Sequence, residues 1–179
     1  MIYAKLKSED KIRFIKQHDH GLLSGEVAQL FKEPGYERLA GYPVPLLLAI
    51  SSHDLGWHTI DDIDAVEESD ALPFDASQGL HDFLHLPYAL KIPLYLEGIR
   101  ACKTLHPYAG LLISHHYTAF LDAQKYASIR EDERQHREVI AATLGLASAT
   151  EKTVMDDYER LKFFDLISLY ICQRAPIFD

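Results

Sequence analysis

A chain of 179 residues is long enough to bury a core of its own, and its 47% hydrophobic content is that of a globular protein, which excludes a disordered chain. The net charge of −9, with Lys and Arg scattered rather than clustered, excludes the basic footprint that nucleic-acid polymers require. Two cysteines, Cys102 and Cys172, are too few for a disulfide framework or a Cys-based zinc site and read as reduced core thiols.

Residues 1–20 lack the continuous apolar run of a secretion signal, and the longest apolar run, Val44 to Ile50, is too short to span a bilayer. A cytoplasmic protein without membrane contact is expected. Ile2-Tyr3-Ala4-Lys5-Leu6 and Lys11-Ile12-Arg13-Phe14-Ile15-Lys16 alternate with period two around Ser8-Glu9-Asp10, which predicts a short β hairpin over residues 1–17. From there the period becomes helical, and residues 18–179 are expected to form one helical core in a single domain.

The stripe His20, Leu23, Val27, Phe31 predicts a first helix ending near Pro34-Gly35. A second runs from Pro43 or Pro45 to about Gly56, with Leu46, Ala49, Ile50, His53 and Trp57 on one face. Residues 57–87 hold no sustained period and read as a long loop, of the kind that is functional or holds short helical turns. Pro93 and Pro107, as first-turn residues, predict helices over 92–104 and 107–120. A charged helix follows over 122–144 and stops at Gly145. Ser148 and Glu151 form a capping box that opens the last helix, which runs to about Arg174. The fold class expected is all-α with a minor β element.

Chemistry enters where polar residues interrupt these apolar stripes. His53-Asp54 closes the apolar second helix, and His20 opens the stripe of the first. In the last helix Val154, Tyr158, Leu161, Asp165, Ser168 and Cys172 step by four and three, which sets Asp165 in the middle of the buried face. A buried carboxylate without a partner costs several kcal/mol. Two His and two Asp from three helices, all facing inward, share one partner in a divalent metal such as Zn, Mn, Fe, Ni or Co.

This ordered set, His20, then the doublet His53-Asp54, then Asp165, resembles the HD-domain superfamily of metal-dependent phosphohydrolases. More narrowly, His20-x-x-Leu23-Ser24-Gly25, His53-Asp54-x-Gly56-Trp57, Ser114-x-His116 and Asp165-x-x-Ser168-Leu169 look like a bacterial HD-like family of unknown function. The resemblance implies an HD-domain-like helical bundle, with His20, His53, Asp54 and Asp165 holding a divalent ion (Mn, Fe, Zn, Ni, Co or Mg). It also implies hydrolysis of a phosphate ester on a small anionic substrate, nucleotides included. A non-catalytic HD-like module that binds metal or senses a ligand is the alternative, and a di-iron HD-type oxygenase is another. Many hydrolytic members carry a Lys just after the doublet; this chain has Gly56-Trp57-His58 there.

Further polar residues are candidates on the same logic. His116, on a face with Ala109 and Leu112, is the candidate for a second metal or a substrate contact, and with Asp54 for catalysis. Its neighbour His115 faces elsewhere. His81 and His85, four apart, are candidates for a second metal or substrate, as is Asp62 beside Asp61 after the doublet. His18 is expected to be exposed. Arg130, Arg134 and Arg137 share one face of the charged helix with Glu131, Glu133 and Glu138 interleaved, which reads as a solvated, ion-paired face. Trp57 and Tyr117 either floor a pocket or pack in the core.

Overall fold

The computed structural model describes residues 2–5, 12–31, 43–61, 74–75, 79–80, 83–84 and 86–174. Two strands, β1 (Ile2–Lys5) and β2 (Ile12–Ile15), pair antiparallel with Ile2 opposite Ile15. The residues between them, 6–11, lie outside the described set.

The first helix, α1 (Gln17–Leu30), starts earlier than its apolar stripe predicts, and it buries a different face. Gln17, His20, Gly21, Ser24, Gly25 and Ala28 point inward, whereas Leu30 is exposed. The reason is steric. Helix α2 (Val44–Ser52) lies so close that a Cβ on Gly25 would sit 2.6 Å from the Ser51 side chain. Small residues let two backbones approach, and that approach sets His20 against the C-terminal end of α2. The larger Leu23 and Val27 stand half-buried at the edge of the contact.

Helix α2 buries Leu46, Ala49 and Ile50 as expected but ends at Ser52, four residues before the predicted end. His53 caps it, and its Nδ1–H donates to the Ile50 carbonyl at 2.8 Å. That carbonyl is the acceptor the Asp54 N–H would need if the helix went on, so the side chain competes with the next turn. Asp54 leaves the helix at φ −104°, and a 3-10 turn over Leu55–Trp57 follows, then a single turn α3 (His58–Asp61). Part of the expected long loop is therefore ordered, and a small antiparallel pair, β3 (Phe74–Asp75) with β4 (Gly79–Leu80), lies further along it.

Helix α4 (Tyr88–Leu105) begins four residues before the predicted start, so Pro93 lies inside it rather than in its first turn. Its ring faces solvent, where the carbonyl it leaves without a donor can meet water. Helix α5 (Pro107–Ala119) is buried on nearly every side, with α2, α4, α6 and α7 packed on it. Helix α6 (Ala127–Thr143) starts five residues after the predicted start, because the Asp122 carboxylate takes the N–H groups of Gln124 and Lys125 in a preceding turn. Helix α7 (Lys152–Arg174) opens after Ser148 and Glu151. The Glu151 carboxylate accepts from the Ala147 N–H rather than closing the expected reciprocal box on Ser148. Both cysteines are free and buried. No helix among the described residues is long and apolar enough to cross a membrane.

Candidate metal centre

Four of the residues singled out in the sequence meet at one place. His20 enters from α1, His53 and Asp54 from the end of α2, and Asp165 from α7. His20 Nε2 lies 2.9 Å from Asp165 Oδ1, and His53 Nε2 lies 3.3 Å from the same oxygen. The two Nε2 atoms are 3.3 Å apart. Asp54 Oδ2 is 3.7 Å from the His20 ring nitrogen and 3.5 Å from that of His53. Asp165 differs from its expected place: its side chain is 22% exposed at the edge of the buried face, and Phe164 takes the centre. That edge position opens the cluster to a cavity.

The other nitrogen of each imidazole is already held. His53 Nδ1 donates to the Ile50 carbonyl, which can only accept, so the His53 Nε2 of a neutral ring carries a lone pair. His20 Nδ1 lies 2.9 Å from the Ser168 hydroxyl, which itself donates to the Asp165 carbonyl at 2.9 Å and meets Ser24 Oγ at 2.6 Å. Those bonds close when His20 Nδ1 bears the proton, and its Nε2 then also points a lone pair inward. With both rings neutral, two nitrogen lone pairs and the oxygens of Asp54 and Asp165 face one another, an arrangement that a proton on an imidazole or a bound cation relieves. Imidazoles whose far N–H is fixed by a carbonyl or hydroxyl are the usual form of metal-ligating His. Spacing agrees as well: ligand atoms about 2.1 Å from a tetrahedral ion stand roughly 3.4 Å from one another. His20, His53 and Asp165 offer ligand atoms all within 4.8 Å of each other; Asp54 is outside that group and approaches it only through the two imidazoles. The donor set fits a divalent ion.

Electrostatics tell the same story. Burial works to lower the His53 pKa, but the carboxylates of Asp54 and Asp165 outweigh it and raise it to about 9. Burial pulls Asp165 upward, yet its bonds with His20 and His53 hold it well below the carboxylate range. Burial wins at Asp54, which is raised.

His116 reaches the rim of the cluster, its Nε2 3.7 Å from Asp165 Oδ2, and its Nδ1 is buried with no hydrogen-bond partner among the described residues. Burial lowers its pKa to about 3 against the partial restoring effect of Asp165, so the ring is neutral. His115 turns away and bonds the Ala149 carbonyl at 2.9 Å. His18 is not on an exposed strand end. It lies half-buried in the first turn of α1, edge-on to His58, and its backbone N–H donates to Asp61. His81, His85 and Asp62 fall outside the described residues.

The cluster opens on a cavity of about 420 Å³. Trp57, Tyr95, Tyr117 and Phe120 form much of its wall, with Tyr95 and Tyr117 stacked at 4.5 Å, so both expected roles of Trp57 and Tyr117, pocket wall and core, hold together. Lys91, 6% exposed, lines the same cavity, its Nζ donating to the Leu84 carbonyl at 2.8 Å. Its signal in the sequence is a lysine within one stripe, Lys91, Leu94, Tyr95, Gly98, Ile99 and Cys102, all of them buried. A lysine inside such a stripe is the same signal as an aspartate inside that of α7.

Helical bundle and site together define a class: an α-helical protein with a buried two-His, two-carboxylate cluster beside an aromatic-walled cavity. The chain matches, over residues 1–177, the family described as protein of unknown function DUF3891, and it belongs to that family. Nothing among the curated proteins or the solved structures matches it.

Proposed function

We propose that this chain is a metal-dependent hydrolase of phosphate esters, with nucleotides in its substrate class, built as an HD-type domain. One observation carries the reading: His20 and His53 turn their Nε2 atoms toward Asp54 and Asp165 while their Nδ1 atoms are fixed by Ser168 and the Ile50 carbonyl. A divalent ion bound there supplies Lewis acidity toward a phosphoryl oxygen and an activated water. Asp54 and Asp165 would balance its charge. His116 stays neutral and offers a hydrogen bond at the mouth of the cluster, or a further ligand. Lys91 answers the missing Lys after the doublet: it brings a cation to the same cavity from α4 and suits the anionic end of a substrate. Trp57, Tyr95 and Phe120 exclude water and suit a flat or apolar remainder.

Purification without chelator, elemental analysis, and a panel of phosphomonoesters, phosphodiesters and nucleotides with Mn²⁺ test this. Stoichiometric metal with hydrolysis that disappears in Asp165→Asn is expected. Metal without hydrolysis of any panel member would leave the non-catalytic, ligand-sensing reading, and protein that neither retains nor takes up metal would end both.

A further inference from the structure

A second cavity, about 250 Å³, lies between the C-terminal end of α5 and the N-terminal half of α6. It shares no lining residue with the first: α5 turns His116 and Tyr117 toward one and Thr118 toward the other. Arg130, Arg134 and Arg137 all line it, against one carboxylate, Glu131. In a chain of net charge −9 this concentration of guanidinium is local and unshared.

The expected ion-paired face holds for only one of the three. Glu131 takes Arg134 in a two-point fork, 2.8 Å to Nε and 2.6 Å to NH2. Arg130 and Arg137 have no carboxylate within ion-pair distance among the described residues. Arg130 uses NH1 on the carbonyls of Thr118 and Leu121. Arg137, only 8% exposed, uses NH1 on the Ser114 carbonyl and on the hydroxyls of Ser114 and Thr118. Glu133 and Glu138 act on it from beyond contact distance. The remaining nitrogens of both forks have no acceptor among the described residues and are not among the buried unpartnered atoms, which leaves them donors within reach of a ligand in the cavity. Ala127, the first residue of α6, faces the same cavity, and Tyr126 provides that helix end with no side-chain cap. The positive end of the helix dipole thus adds to the two guanidiniums.

We infer that this cavity is an anion site for a phosphate or diphosphate group, gripped by Arg130 and Arg137 with Arg134 at the rim. Two guanidiniums without a carboxylate partner, next to a helix N-terminus, exceed what one carboxylate neutralises, and a phosphate brings more charge and more acceptor oxygens. The inference stands apart from the metal reading, since neither cavity needs the other.

Calorimetric titration of inorganic pyrophosphate, and separately of inorganic phosphate, into chelator-treated full-length protein tests it. Saturable binding is expected, weakened at least tenfold by Arg130→Gln or Arg137→Gln and weakened by added salt. Arg137 is buried, so circular dichroism checks its variant; should that variant fail to fold, the half-exposed Arg130→Gln decides alone. Absence of binding, or binding indifferent to Arg130→Gln, would overturn the inference.

Discussion

Two polar clusters are buried against α5, and they differ in how their charges are settled. Around α6, Glu133 accepts from the Ser114 hydroxyl at 2.7 Å and faces Lys103 at 3.4 Å, and Ser114 in turn accepts from Arg137. At Glu133 donor answers acceptor, and cation stands near anion. Around α1, α2 and α7 the inward atoms are two imidazole nitrogens and two carboxylates, electron-rich on every side. A site whose donors and acceptors match serves the fold; one with an excess of acceptors is, on the reading proposed above, arranged for a cation from outside. The difference teaches that burial of polar groups is no sign of a site until donors and acceptors have been matched.

Asp165→Asn should separate the clusters most sharply. Losing a ligand costs more than losing a ligand's support, so metal affinity should fall by more than about 100-fold, with hydrolysis lost and helical content kept. Equilibrium dialysis with elemental analysis, alongside circular dichroism, measures both. If melting temperature collapses together with metal, the ion is a structural staple, and the contrast drawn between the clusters fails.

Glu133→Gln should do the reverse. Removing one partner of a largely buried pair, discounted because Lys103 is partly exposed, costs about 2 kcal/mol, or roughly 4–8 °C in melting temperature for a domain of this size. Metal content should not change. A variant that melts like the parent but loses metal would show that the α6 network supports the cluster rather than the fold.

Ser168→Ala probes the support of His20. It removes the hydroxyl that fixes Nδ1, and metal affinity should drop about tenfold, or about 1.4 kcal/mol, without loss of fold. Unchanged affinity would mean that His20 does not depend on Ser168 for its orientation.

Acid gives the smaller tests. Metal ligands must be deprotonated, so protein dialysed at about pH 5 should retain less metal than protein at about pH 7.5, on either side of the ordinary His range. Equal retention would argue against His ligation. In the α6 network, burial works to raise the Glu133 carboxyl, but the Ser114 hydroxyl and the Lys103 ammonium outweigh it and hold it below its ordinary 4.5. A depressed folded-state value means that its contribution is present above pH 4.5 and is lost as pH falls through the folded value. Chelator-treated Glu133→Gln should therefore show a shallower loss of stability below pH 4.5 than the parent in chemical denaturation. Parallel curves would remove Glu133 from the acid response.

The sequence by itself marked the residues that meet in the His/Asp cluster. His20, His53, Asp54 and Asp165 stood out because each interrupts or closes an apolar helical stripe, and Lys91 carries the same mark in α4. Element ends were less legible. The end of α2 depends on the His53 side chain taking the Ile50 carbonyl, and the start of α6 on Asp122 taking two N–H groups; both are contests between side chain and backbone that periodicity does not register. The arginine face of α6 shows the limit most plainly. Interleaved charges along a helix do not say which pairs will close, and only packing on α5 buried Arg137 away from a carboxylate while leaving Arg134 paired at the surface. Likewise, nothing local joins Ser24 to Ser168 across 144 positions. A polar residue in an apolar stripe is a property of one helix and can be read along the chain. The partner it meets depends on how closely and in what orientation helices dock, and that is decided by contacts such as Gly25 on Ser51, which exist only in the folded molecule.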